Sequence, residues 1–275
     1  MPRLIINADD FGVFACVSRG ILEAVRAGVV TAVGVMATGQ AFAMAAELAE
    51  ERDRADVGAH LVLTAGEPLT KAMRRACRPW GGRFPGKGAA AAAVLMGRIR
   101  VTAVEEEWEA QLALCRQAVP DLVFLNSHEH IHMLPPLFRL ARRLAAKHSI
   151  RFVRAPRTAM QLPMPLPRLL KGMIFKGLSA CVGPCPDEPI LLGTGESGRL
   201  SPQDLARIVR GLTGDGPFEL MCHPGRFDGQ EIGDPRLMAF HDWEGELDAL
   251  LSLDFGRLLT ETDTRLLRYS DLTAT

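Results

Sequence analysis

The sequence has no surplus of either charge: 32 Lys and Arg residues balance 32 Asp and Glu residues over 275 positions. A general nucleic-acid binder carries a basic excess or a basic stripe, so that class is set aside. No run of about 18 or more apolar residues exists to span a bilayer as a helix. The first residues, MPRLIIN, lack the long apolar stretch of a signal peptide, and the expectation is a cytoplasmic protein. Cysteines are sparse and irregularly placed at positions 16, 77, 115, 181, 185 and 222. Disulfide scaffolds pair them far more densely. Cys181 and Cys185 are the one close pair, and no second pair completes a zinc knuckle. All six are therefore expected as thiols without a redox role. No internal repeat and no linker divides the chain.

What is present points to a folded α/β protein. With 48% hydrophobic and 23% charged residues, disorder is excluded, and 275 residues suffice for one large core. Short apolar runs, read as strands, fall at Leu4–Asn7, Thr31–Ala37, Val57–Leu63, Leu122–Leu125, Arg151–Arg154 and Phe218–Cys222. Between them lie helical stretches at Arg19–Ala27, Phe42–Arg52, Val104–Val119, Leu137–Lys147 and Pro235–Leu251. Such alternation implies parallel βα units with right-handed crossovers. About seven or eight such pairs suit a TIM-like (β/α) barrel, one domain spanning residues 1–275. Arg78–Gly88 must be a loop, and the Pro- and Met-rich stretch near 160–198 reads as an inserted helical or loop segment over one end of the barrel.

Residues able to carry chemistry lie where predicted strands end. The first strand runs into Asp9 and Asp10, two adjacent carboxylates that are costly to place together unless a cation or proton is shared. The bland alternative is an Asp capping the following helix. His60 sits in an apolar strand, where a lone histidine is commonly a satisfied core residue. Asn126-Ser127-His128-Glu129-His130-Ile131-His132 ends another strand; if extension continues, His128, His130 and His132 share a face. His223 ends the Phe218–Cys222 strand, before Pro224 and Gly225. One Asp and two His suit a divalent metal with positions open for water, and the remaining Asp and His suit a base and an acid. Arg154 and Arg157 flank a strand end, where a guanidinium orients a carboxylate or holds a sugar hydroxyl. Gly193–Gly198 lacks the lysine and strand–turn–helix context of a phosphate loop.

These segments together resemble the YdjC-like carbohydrate deacetylases. Asn7-Ala-Asp-Asp-Phe-Gly12, Gly58-Ala-His-Leu-Val-Leu63, Ser127-His-Glu-His-Ile-His132, Arg154-Ala-Pro-Arg157 and His223-Pro-Gly225 occur in that family's order, and Trp243–Leu250 resembles its late helix. The wording is similar to the subgroup linked to hopanoid biosynthesis. The resemblance implies a distorted barrel that removes acetyl groups from N-acetylated sugars. It implies Asp10, His60 and His128 as metal ligands, Asp9 as base and His223 as acid. His130 and His132 would then lie behind the ligands or face substrate, and Arg154 would bind substrate. The resemblance implies magnesium, whereas two histidines suit zinc, cobalt or nickel better. Many relatives carry Asp where this chain has Asn126, a departure that bears on how His128 is tuned.

Two other readings compete: a barrel that binds a glycan or glycolipid without turnover, and non-haem iron oxygenation at the same Asp-His-His set. Retention of Asp9 and His223 weighs against both. Wound as a helix, Leu166–Val182 places Leu169, Leu170, Met173, Ile174 and Cys181 on one arc, with Arg168, Lys171 and Phe175 opposite. That pattern is compatible with peripheral membrane contact or a lipid-linked sugar. A helix closing the barrel, or a homodimer contact, is the plainer expectation.

Overall fold

Eight parallel strands form one sheet: β1 (Arg3–Phe11), β2 (Ala32–Val35), β3 (Asp56–Leu61), β4 (Phe124–Ser127), β5 (Phe152–Val153), β6 (Ile190–Leu192), β7 (Phe218–Cys222) and β8 (Arg265–Leu266). The order is β5-β4-β3-β2-β1-β7-β6, with β8 paired to the start of β1. This computed structural model describes residues 1–158, 166–185 and 187–273, with the side chains of 166–171 and 273 left aside. Thr31 N–H donates to the Ile6 carbonyl and Leu267 N–H to the Leu4 carbonyl. Both acceptors are even-numbered, so β8 shares with β2 the edge of β1 opposite β7, which distorts the barrel. A single bridge between Thr158 and Leu191 brings the segment after β5 against β6 and curls the sheet toward closure.

Strand periodicity divides the side chains between two environments. Leu4, Ile6 and Ala8 of β1, Val57, Ala59 and Leu61 of β3, and Leu125, Val153 and Leu220 face outward into the large core beneath the helices. Their neighbours face inward. Ile5, Ala32, Phe124, Phe152, Leu267 and Tyr269 pack together as an apolar plug, with Phe124 stacked on Tyr269 at 4.6 Å. One step along the same strands, the inward positions become Asn7, Asp9, His60, Asn126, Arg154 and Glu219, all buried. The barrel interior is thus a greasy floor beneath a polar layer.

Helices cover the outside, each for a local reason. Pro202–Arg210 starts with a capping box, in which the Ser201 hydroxyl accepts from Asp204 N–H and Pro202 pre-sets the first turn. Val101–Ala118 pins the segment after β3: Gln111 accepts from Val62 N–H and donates to the Val62 carbonyl. Among the described residues no helix is long and apolar enough to cross a membrane. All six cysteines are free.

Three sequence expectations are corrected. Ile190–Leu192 is a strand paired with β7, not part of an insertion. The expected helix Pro235–Leu251 is two, Pro235–Phe240 and Trp243–Leu251, because the Asp242 carboxylate accepts from Gly245 N–H and caps the second. The helix Leu166–Val182 forms, and residues 159–165 before it lie outside the described set. Phe175 is buried against Met133, Leu191 and Met221 while Met173 and Ile174 are exposed, the reverse of the expected arc. Leu169, Leu170, Arg168 and Lys171 fall among the side chains left aside.

The histidine run after β4 does not stay extended. Ser127 begins a 3-10 turn over His128–Met133, and Glu129 and His130 both take left-handed backbone, with φ of 54° and 57°. This places His132 inside the protein. The Ser127 hydroxyl accepts from His132 N–H and donates to His132 Nδ1, while Nε2–H donates to the Arg154 carbonyl at 2.8 Å. Burial, together with the Arg154 charge, pushes the imidazole down to about 3 against the pull of that carbonyl. Between an ordinary value of 6.5 and about 3, the unfolded chain binds a proton here that the folded chain refuses. Stability therefore falls as pH drops through that window. His132→Gln, which cannot titrate, is expected to flatten this slope and to lose about 1–3 kcal/mol at pH 7. Urea denaturation across a pH series measures both, and an unchanged slope would refute the assignment.

Candidate metal centre and active site

Because all strands run parallel, β1, β3, β4 and β7 deliver their last residues to one end of the barrel. Alternation should send Asp9 inward and Asp10 outward. Asp10 instead adopts φ 67°, at an irregularity in the β1–β2 register, and both carboxylates line the same cavity of about 290 Å³. Such backbone is costly for a non-glycine residue and concentrates at functional sites.

The two carboxylates have separate partners. Asp9 Oδ2 accepts from Arg154 Nη1 at 2.6 Å, and Oδ1 accepts from Asn7 Nδ2 at 2.7 Å, Asn126 Nδ2 at 2.8 Å and Arg154 Nη2 at 3.1 Å. Burial alone would raise its pKa. The Arg154 guanidinium, with His60, outweighs burial and holds the carboxyl below its usual range. Arg154 is fully buried, and Nε donates to Glu219 at 2.8 Å. With Asp9 and Glu219 occupying the guanidinium, substrate binding by Arg154 is corrected to orientation of Asp9, one of the two roles open from sequence. His132, sealed beneath the same site, does not line the cavity.

Asn126 then decides the state of His60. Its amide N–H must face ionised Asp9, which leaves its carbonyl oxygen toward His60 Nδ1 at 2.7 Å. Nδ1 therefore donates, which leaves Nε2 as the atom turned toward Asp10. The contact is with His60 and Asp9, not with His128 as the sequence comparison suggested. Gly34 lies under this junction, and a Cβ there would come within 3.2 Å of Asp9 Oδ1 and His60 Nδ1.

His60 Nε2 is buried without a hydrogen-bond partner, 3.0 Å from Asp10 Oδ1. His128 Nδ1 lies 2.8 Å from the same oxygen. Asp10, His60 and His128 each bring one ligating atom, all within 4.8 Å of one another. An orphaned imidazole nitrogen beside a carboxylate and a second imidazole fits a divalent cation by donor type. Burial lowers the His128 pKa, but the Asp10 charge and hydrogen bond prevail and push it up to about 9. A cation taken up here competes with that proton.

His223 faces the cavity from the end of β7 and is held from behind: Glu246 accepts from its backbone N–H at 2.6 Å. His130 also lines the cavity, edge-on to Phe175 at 5.5 Å. Sequence reasoning missed Glu219, Glu246 and His241. A charged residue alternating inward within Phe218–Cys222 was a usable signal for Glu219. Glu246 and His241 were hidden by reading one unbroken late helix.

The sequence model of the YdjC-like protein family matches residues 3–261. A chitooligosaccharide deacetylase of Klebsiella pneumoniae is 32% identical over 278 residues, spanning 98% of this chain and 98% of that protein. A carbohydrate deacetylase of Geobacillus stearothermophilus is 34% identical over 229 residues, spanning 83% and 82%. Among solved structures, an Enterococcus faecalis protein named for cellobiose-phosphate cleavage shares the fold at a TM-score of 0.74 and 22% identity, covering 98% of each chain. The motif order, the barrel and these matches place the chain in the YdjC-like protein family.

Proposed function

We propose that this chain is a metal-dependent hydrolase that removes the acetyl group from an N-acetylglucosamine-type sugar, working as one barrel domain over residues 1–275. The observation that carries the reading is the cluster of Asp10, His60 and His128 in a cavity that Asp9 and His223 also line. The names of the relatives, carbohydrate and chitooligosaccharide deacetylases, supply the substrate class.

Asp10, His60 and His128 would hold the cation, which supplies Lewis acidity toward water and the acetyl carbonyl. Asp9, kept ionised by Arg154, takes a proton from the water that attacks the carbonyl carbon. Asn7 and Asn126 fix the direction in which its free lone pair points. His223 gives a proton to the sugar nitrogen as the carbon–nitrogen bond breaks, so that acetate and the free amino sugar leave. Use of both Asp9 and His223 favours this chemistry over oxygenation or binding alone. The donor set favours zinc, cobalt or nickel over magnesium. A lipid-linked sugar is the finer alternative to a soluble one; exposed Met173 and Ile174, on the helix whose Phe175 meets His130 edge-on, are the apolar surface it would use. Comparing kcat/KM for the two substrates, with Met173→Ser and Ile174→Ser, tests that alternative; equal values would reject it.

His60→Ala or His128→Ala is expected to abolish metal uptake and acetate release together. Metal analysis of the purified variants checks this, and full metal content with lost turnover would move the ligand set elsewhere. Asp9→Asn is expected to keep its metal while acetate release from N-acetylated chito-oligosaccharides falls about 10²–10⁴-fold. A near-normal rate in the metal-loaded variant would exclude Asp9 as the base. His223→Ala is expected to retain metal as well, and to slow substrates with poor leaving groups most.

A further inference from the structure

His241 stands in the break between the two late helices and lines the same cavity as the metal cluster. Its ring is stacked on Trp243, with centroids 4.7 Å apart and planes 14° apart. His223 meets it edge-on at 5.2 Å, and Phe240 does so at 4.8 Å from the other side. The backbone around it is anchored: Asp242 N–H donates to the Gly198 carbonyl at 2.7 Å, and Gly225 N–H donates to the Trp243 carbonyl at 3.1 Å. Gly198 allows the close approach, since a Cβ there would lie 2.8 Å from the Phe240 ring and carbonyl. The imidazole is thus held by ring contacts that leave Nδ1 without a partner.

Nδ1 of His241 is buried and has no hydrogen-bond partner, and the same is true of His223 Nδ1. Buried polar atoms in folded proteins are paired almost without exception, and an unpaired one costs about 1–3 kcal/mol. Two such atoms on rings in contact, across the cavity from a metal cluster, mark a place where a bound molecule completes the pairing. Phe240 is 52% exposed beside them. An exposed aromatic ring next to unpaired polar atoms suits a sugar, which has an apolar face and a rim of hydroxyls.

We propose that His241 is a substrate-binding residue: its Nδ1 hydrogen-bonds a hydroxyl of the N-acetylated sugar, while Phe240 covers an apolar face of the same ring. A hydroxyl both donates and accepts, so the contact forms with either neutral tautomer of the imidazole. This rests on the deacetylase reading above and extends it: His223 serves the reacting nitrogen, and His241 orients the sugar that bears it.

The experiment uses the full-length, metal-loaded protein. For His241→Ala, KM for N-acetylated chito-oligosaccharides is expected to rise about tenfold with kcat within about threefold of the parent, the loss of one hydrogen bond to substrate. His241→Gln, which keeps a hydrogen-bonding end, is expected to recover part of that loss, and Phe240→Ala to raise KM as well. Metal content and thermal unfolding are measured on each variant, and the proposal requires each to stay folded at the assay temperature with the parent's metal content. A fall in kcat at constant KM would overturn it and place His241 behind His223 in proton transfer. Unchanged kinetics would overturn it as well. Calorimetric binding of chitobiose and of its deacetylated amine separates the two readings. If the parent protein releases no acetate yet binds either sugar, and His241→Ala weakens that binding, the deacetylase reading falls and the sugar contact stands.

Discussion

The polar end of this barrel depends on one buried guanidinium. Arg154 lies in the interior between Asp9 and Glu219, and each carboxylate would be prohibitively placed without it. With it, Asp9 stays ionised although buried, and its ionisation propagates. An ionised Asp9 demands donors, so Asn126 turns its N–H inward. Asn126 then offers His60 only an acceptor, so His60 donates from Nδ1 and turns Nε2 toward Asp10. A single charge pair thus orients a candidate metal ligand two hydrogen bonds away.

That chain of consequences also separates two adjacent carboxylates by function. From sequence, Asp9 and Asp10 were costly neighbours unless a cation or proton was shared. The structure satisfies them separately: Asp9 with a permanent protein cation, Asp10 between the imidazoles of His60 and His128. Left-handed backbone at Asp10 makes this possible by cancelling the alternation that would have sent it outward. Glu129 and His130 take similar backbone after β4, where His128 remains at the cavity and His132 is folded beneath it. Three of the five non-glycine residues with left-handed backbone among the described residues stand where strands hand over to the site; Ser149 and Asp263 follow helix ends instead.

Much of the fold was legible because burial has a period. Apolar runs such as Leu4–Asn7 and Val57–Leu63 declare strands, and the intervening amphipathic stretches declare helices. Elements that failed were short or unsupported by pattern: β6 and β8 have three and two residues, too few to show alternation. The late helix looked continuous because its break at Asp242 depends on a cap, not on a change in hydrophobicity.

For the site, the sequence by itself determined which chemical groups stand at strand ends: Asp9, Asp10, His128 and His223 are strand-terminal by local pattern, and His60 lies within its predicted strand. Parallel topology then obliges them to meet at one end. Only tertiary structure decided their partners. Arg154 and His132 look as available for substrate as any strand-end residue, yet one is consumed by Asp9 and Glu219 and the other by Ser127 and a carbonyl. His241 looks like part of a helix, yet it stands beside His223. The physical reason is range: alternation and capping act over a few residues, whereas charge pairing and hydrogen-bond satisfaction are settled between strands far apart in the chain.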